Sequence, residues 1–221
     1  MSDQEFKPSE ALLGLNQTAS ELIDAIRVTR APEETIDAVR LKLNQALALL
    51  DGHARPGPYA QAELNSSAFW NASRRDPQSL MPYSPVIGDY NPVSARFRFF
   101  EVGDQLEGHG DIPVRFVGSP GNSHGGYVAA ILDEAMGLLN FMHGAGAFTG
   151  TLSVRYHRPT PILTPLHVHA EITHREGRKL HTRGELRCNG ELTASSEGVF
   201  IVPQGDFPGT SGNHQAASGS S

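Results

Sequence analysis

The segment "NSHGGYVAAILDEAMG", residues 122–137, decides the fold prediction. Its apolar residues predict a helix over about 125–141 that is buried in a domain core. Two features interrupt that pattern: the segment opens with His-Gly-Gly, and Asp133 and Glu134 lie in its middle. Because a buried carboxylate is costly unless it has a partner, the acid pair indicates more than packing.

The start of this helix favours ligand binding. Glycine allows a ligand to approach the backbone closely, and the first amides of a helix have no partner within it. These amides lie at the positive end of the helix dipole, so they can hold a carbonyl oxygen that gains negative charge. The alternative is that the glycines only let the chain turn into the helix beneath a crowded sheet.

Asp133 is the candidate for chemistry inside the helix. The residues one turn away are mostly small, which leaves room for another group to approach the carboxylate: Ala129, Ala130, Met136 and Gly137. A carboxylate in such a place suits a general base or a nucleophile. The alternative is that the acid pair marks a strip of helix that faces solvent.

Composition limits the classes of function. The chain has 221 residues and 38% hydrophobic residues, which suits one globular domain with an extension, or two small domains. Its net charge of -6 argues against nucleic-acid binding. The single cysteine, Cys188, excludes an internal disulfide and favours a reducing compartment. The N-terminus does not resemble a signal peptide, and no apolar run approaches the ~18 residues of a membrane span. We therefore expect a cytoplasmic protein without a membrane span.

The chain divides into four parts. Residues 1–52 predict a helical hairpin, whose two apolar stripes pack on each other or on the main domain; a lid or an oligomerisation element is the alternative. Residues 53–93 are rich in proline, glycine and turn formers and predict an irregular lead-in. Residues 94–203 form the main domain, and residues 204–221 predict a disordered tail.

The main domain shows the two-residue period of strands on both sides of the helix. About six antiparallel strands are expected, and a sheet that packs one face on a single apolar helix gives an α+β fold. On the strand "LHVHAEITH", His167 and His169 share one face and His174 is expected on the other. No third ligand is apparent for that pair, so the sequence predicts no metal site.

Three stretches together carry a family resemblance: "HGGYVAAILDEAMG", "TGTLSVRYHRPTP" and "EGRKLHTRGEL". The chain resembles the hotdog-fold acyl-CoA thioesterases of the phenylacetate and 4-hydroxybenzoyl-CoA types. Their pattern is His-Gly-Gly, a carboxylate nine positions after the histidine, and a serine or threonine sixteen positions further on. The resemblance covers about 95–203 and implies a curved antiparallel sheet wrapped around one central helix, here with an N-terminal helical extension.

The resemblance implies a role for each matching residue. Asp133 would act as general base for the hydrolytic water or attack the thioester carbonyl itself. The amide of Gly125 would polarise the thioester oxygen, and His124 would shape that turn. Thr149 would orient the water or the carboxylate. Asn122 lies near this site in sequence and would contact the thioester.

Substrate binding and assembly follow from the same resemblance. Gly126 would lie at the thioester, and the basic turn of Gly177, Arg178 and Lys179, with Arg158, would contact the phosphates of coenzyme A. No cofactor is needed, because coenzyme A is part of the substrate. The expected partners are an acyl-CoA and further copies of the chain, in a homodimer or homotetramer with the site at the subunit interface. Two alternatives stay open: a non-catalytic acyl-CoA-binding or regulatory domain, and a hotdog dehydratase, whose catalytic histidine motif is not found.

Overall fold

A computed structural model describes residues 9–54, 77–143 and 146–204 of the chain. Six strands form the main sheet: β1 Arg98–Val102, β2 Gln105–Gly110, β5 Phe148–Tyr156, β6 Leu166–Glu176, β7 Lys179–Cys188 and β8 Glu191–Ile201. The sheet is antiparallel in the order β1-β2-β6-β7-β8-β5, which confirms the predicted sheet. β5 is an edge strand, so one side of its backbone pairs with β8 and the other does not pair within this sheet.

One long helix, α4 (Gly125–Met142), lies against this sheet and contacts β2 and β5 to β8. Its sheet-facing side chains are large and apolar, and several are fully buried: Ile131, Leu132, Met136 and Leu139. Burying each such side chain contributes about 1.5–3 kcal/mol, so the helix and the sheet stabilise each other. This is the central helix that the sequence predicts.

A small ribbon that the sequence did not predict fixes where α4 begins. Strand β3 (Val117–Ser119) pairs with β4 (Asn122–Ser123) directly before the helix. The amide of His124 donates to the carbonyl of Phe116 at 2.8 Å, and the amide of Ser123 donates to Thr160 at 2.8 Å. The helix start is therefore held by backbone hydrogen bonds to two separate segments.

The lead-in segment contributes to the core. After the short helix α3 (Pro77–Leu80), the side chains of Leu80, Val86 and Ile87 are buried. Tyr127 of α4 ties this segment down, because its hydroxyl donates to the Pro85 carbonyl at 3.0 Å. The rest of the predicted irregular segment, 55–76, and most of the predicted disordered tail, 205–221, lie outside the described residues.

The N-terminal helices differ from the predicted packing. Helix α1 (Glu10–Val28) attaches through polar residues: Arg115, in the 3-10 turn Val114–Phe116, forms an ion pair with Asp24 at 2.8 Å and donates to Ser20 at 2.8 Å. Helix α2 (Glu33–Leu50) has no buried residue, and Leu47 of its apolar stripe is 66% exposed. The prediction that the apolar stripes are covered is therefore wrong for α2. No helix in the described parts of the chain has both the length and the apolar character needed to cross a bilayer.

Two β-bulges change which face a side chain occupies. On β5 the pairing with β8 shifts between Thr149 and Thr151, and on β6 the pairing with β7 shifts between Ile172 and His174. An extra residue in one strand reverses the alternation beyond it. His174 consequently lies on the outer face of the sheet, the same face as His167 and His169, and the prediction that it lies on the other face is wrong.

Candidate active site

The start of α4 leaves one backbone donor unused. His124 is the N-cap: its Nδ1 accepts from the amide of Gly126 at 3.0 Å, and its carbonyl accepts from the amides of Tyr127 and Val128 at 3.0 and 3.3 Å. The amide of Gly125 has no acceptor among the described residues. A free amide at the positive end of a helix can bind a carbonyl oxygen that becomes negative during a reaction.

Tyr156 holds this start in place and was missed by the sequence analysis. Its hydroxyl donates to the carbonyl of Gly125 at 2.8 Å. The only signal in the sequence was the alternation that puts Tyr156 on the same face of β5 as Leu152 and Val154. The role of the hydroxyl depends on how closely α4 approaches the end of β5, which the alternation does not specify.

Gly125, which carries the free amide, lines a cleft of about 370 Å³. Three of the predicted site residues, Asn122, Gly125 and Arg158, line it. Gly126 lies beside it on the first turn of the helix, and its amide is already used by the cap. The full lining is Ser119, Asn122, Ser123, Gly125, Val128, Tyr156, His157, Arg158, Pro159 and Thr160.

Asp133 and Thr149 meet as a pair. The hydroxyl of Thr149 donates to Oδ1 of Asp133 at 2.9 Å, and Asp133 is half-buried. Strict alternation from Leu152 would point Thr149 away from the helix, but the bulge around Gly150 turns it inward. A donor that fixes a carboxylate oxygen orients it for proton transfer or attack.

The neighbouring acid, Glu134, lies in a different environment. Its Oε1 is buried and has no hydrogen-bond partner in the described chain. Burial raises the pKa of Glu134; a hydrogen bond with Ser84 works against this rise, and the negative charge of Asp133 adds to it. Glu134 points toward the lead-in segment rather than toward Thr149, which agrees with a structural role.

Within one chain the candidate groups form two separate sets. Gly125 and Asp133 are eight residues apart on α4, which is about 12 Å along the axis. One thioester carbonyl needs the amide donor at about 3 Å and the carboxylate at no more than one water molecule's distance. A single copy of α4 cannot meet both requirements.

The predicted basic residues are also divided. Arg158 pairs with Glu191 at one end of β8, whereas Arg178 donates to the carbonyl of Val202 beyond the other end, at 3.0 Å. The ten residue-to-residue steps from Glu191 to Ile201 span roughly 33 Å. The β6–β7 turn exposes Gly177, Arg178 and Lys179, and the φ of Gly177 is +57°. The prediction that Arg158 joins this turn in one basic cluster is therefore wrong for a single chain.

The known proteins that this chain resembles include thioesterases. Residues 120–195 match the family model of the thioesterase superfamily. Acyl-coenzyme A thioesterase THEM4 of Rattus norvegicus is 33% identical over 93 residues, which cover 41% of this chain and 40% of the relative. Acyl-coenzyme A thioesterase THEM5 of Homo sapiens is 33% identical over 89 residues, which cover 39% of this chain and 36% of the relative. The matched region thus spans about two fifths of the length of these relatives.

A solved structure extends the likeness over most of the chain. The crystal structure of a thioesterase superfamily protein aligns with a TM-score of 0.74 and 27% identity, and the alignment covers 89% of this chain and 94% of that one. The central helix, the six-stranded sheet and the N-terminal extension therefore recur together in a related protein. Residues 120–195 thus match the thioesterase superfamily, and the hotdog fold that is built around them is similar to a solved structure of that superfamily.

Proposed function

We propose that the protein hydrolyses an acyl-CoA, or a related acyl thioester, to the free acid and the thiol. The observation that carries the proposal is that α4 bears two groups suited to this reaction. Its Asp133 accepts a hydrogen bond from Thr149 of β5, and its start presents the free amide of Gly125. Water adds to the thioester carbonyl carbon, the carbon–sulfur bond breaks, and the thiolate takes up a proton. Asp133 removes the proton from the water, or attacks the carbonyl itself to give an anhydride that water then hydrolyses.

We infer that each active site is shared by two copies of the chain, because the distance along α4 separates the amide from the carboxylate. Edge strand β5 supplies a route to the second copy, since an unpaired edge is a template for another strand. Thr149, near the start of β5, contacts Asp133, and Tyr156, at its end, contacts Gly125. Each end of β5 therefore lies at one half of the site, the carboxylate half at its start and the amide half at its end.

A two-fold axis through the middle of β5 joins these halves. If β5 pairs antiparallel with β5 of a second copy about Ser153, each residue lies opposite one on the same face, as Leu152 does opposite Val154. The extra residue of the bulge at Gly150 then places Thr149 opposite Tyr156 of the other chain. Asp133 of one copy then approaches Gly125 of the other, and the arrangement occurs twice. A homodimer, or a homotetramer built from two such dimers, satisfies this geometry.

The same rotation explains the divided basic residues. It brings Arg158 of one copy to the end of the sheet at which Arg178 and Lys179 of the other copy lie. Arginine and lysine at such a rim suit the phosphates of coenzyme A, with Asn122 and Gly126 nearer the thioester. The proposal requires no cofactor beyond the coenzyme A portion of the substrate. The cytoplasmic location expected from the sequence stays a prediction.

Activity and the shared site can be tested together. The first measurement is thiol release from short, medium, long and aromatic acyl-CoAs, for which we expect hydrolysis of at least one substrate and a loss of orders of magnitude in Asp133→Asn. Neither hydrolysis nor binding over the whole panel would refute the enzymatic proposal. Binding without thiol release would instead assign the protein to the non-catalytic acyl-CoA-binding alternative.

Complementation tests the two-chain site. Asp133→Asn lacks the carboxylate and Gly125→Pro lacks the amide, so each homodimer should be inactive. A mixed dimer has one site with both defects and one intact site, so equal co-expression should restore about a quarter of wild-type activity. A site within one chain gives no recovery. Co-expression of the two variants at wild-type folding yield without recovery would refute the shared site while leaving hydrolysis itself untouched.

A further inference from the structure

We propose that the outer face of the β6–β7 hairpin binds a divalent transition-metal ion of the zinc class through His174, Glu176 and His181. This face is turned away from α4, so the proposed ion site is separate from the thioester site. The inference goes beyond thioester hydrolysis and does not depend on it.

The three side chains converge because of strand pairing and the bulge. His174 and His181 are direct cross-strand partners, and their ring centroids are 5.1 Å apart. The bulge between Ile172 and His174 brings His174 to the outer face, and Glu176 follows two residues later on that face. One ligand atom from each of the three residues lies within 4.8 Å of the others.

Two of the three groups, His181 and Glu176, lack the hydrogen-bond or ion-pair partners that a neighbouring histidine has within the described part of the chain. Nε2 of His181 is buried and has no hydrogen-bond partner among the described residues. Within the same described part of the chain, Glu176 forms no ion pair. By contrast, His167 on the same face and the same strand binds Glu107 at 2.7 Å. An unsatisfied buried imidazole nitrogen is costly, and a bound cation would satisfy it.

The donor set defines the class of ion. Two imidazoles and one carboxylate are the ligands that zinc takes in open three-ligand sites, where water fills the fourth position. Calcium and magnesium require mainly oxygen ligands and do not fit. Copper, nickel and cobalt accept the same donors, and copper has the highest intrinsic affinity. The ion would link β6 to β7 just before the turn that carries Arg178 and Lys179, and so fix that turn.

The test is metal binding by the untagged full-length chain after treatment with a chelator. Calorimetric titration with zinc chloride should give one ion per chain, and cobalt should give the visible absorption of a four-coordinate site. His174→Asn and Glu176→Gln each remove a direct ligand from an exposed position, so the fold is expected to survive. Each should lower the affinity by more than the tenfold to hundredfold loss that is typical of an outer-shell partner.

The matched control is His167→Asn, which removes an exposed histidine from the same strand outside the cluster. It should leave the stoichiometry unchanged and the affinity within about twofold of the wild type. Absence of stoichiometric zinc binding by the wild-type chain would overturn the proposal. Equal loss of affinity in the control and in His174→Asn would also overturn it, because binding would then reflect scattered surface histidines.

Discussion

Replacement of Gly125 by proline isolates the contribution of one backbone amide. Proline has no amide hydrogen, and the first position of a helix is where it is best tolerated. The residue before a proline must be extended, and His124 already has φ -64° and ψ 131°. A Cβ at position 125 would meet the Tyr156 ring at 3.4 Å, which is ordinary contact. The helix start should therefore accept the change.

The expected cost falls on catalysis and not on folding. The Gly125 amide has no acceptor in the described chain, so proline removes no internal hydrogen bond. The free energy of unfolding should change by no more than about 1 kcal/mol. Loss of one oxyanion donor typically lowers kcat by about 10²–10³, equivalent to about 2.7–4 kcal/mol.

The assay compares kcat/KM for thiol release, because the proline ring also fills space beside the bound carbonyl. Gly125→Ala is the matched control: it adds the same Cβ, keeps the amide and should stay within about tenfold of the wild type. Urea unfolding of both variants checks that the fold is retained. If Gly125→Pro hydrolysed the substrate within about threefold of Gly125→Ala, the assignment of the oxyanion amide would be refuted.

Further predictions address the carboxylates and the N-terminal helix. Thr149→Val removes the hydroxyl that fixes Asp133 and should lower kcat by about tenfold to a hundredfold, the value of a charge-assisted hydrogen bond, whereas Thr149→Ser should retain activity. Because burial raises the folded-state pKa of Glu134 above its ordinary value of 4.5, the native state holds this proton more tightly than the unfolded state. The stability contributed by that proton is present below pH 4.5 and is lost as pH rises through the folded-state pKa. In urea unfolding, the free energy of unfolding of Glu134→Gln should therefore rise relative to that of the wild type as pH increases. An identical pH dependence of the two proteins would contradict this. Arg115→Ala leaves Asp24 without its partner and should cost about 2–5 kcal/mol and expose α1 to limited proteolysis; unchanged protection of α1 would show that other contacts hold it.

Much of the fold follows from local patterns. The apolar period of α4, the alternation in β6 and β7 and the turn at Gly177 all appear in the sequence, and the elements lie where these patterns predict. The ribbon β3–β4 was missed because strands of three and two residues carry too little alternation to be recognised. The covering of the α2 stripe was predicted wrongly, since amphipathic spacing indicates a helix but not what packs against it.

The candidate site could be predicted from the sequence only in part. The motif placed Asp133 and Gly125 on one helix, but their separation of about 12 Å along its axis means that one copy of α4 cannot bring both groups to the same carbonyl. The sequence also could not distinguish the environments of Asp133 and Glu134. Adjacent residues on a helix point about 100° apart, and only the packing of the lead-in segment decides which carboxylate loses its solvent.

The sequence by itself determined the order and type of the main elements and named the candidate residues for the chemistry. Only the tertiary structure decided which faces Thr149 and His174 occupy, because each depends on a β-bulge. Alternation is a local property with a period of two, whereas a bulge is a mismatch with the neighbouring strand. A bulge can be recognised only when both strands are in place. Here the bulge on β5 turns Thr149 toward Asp133, and the bulge on β6 turns His174 toward His181.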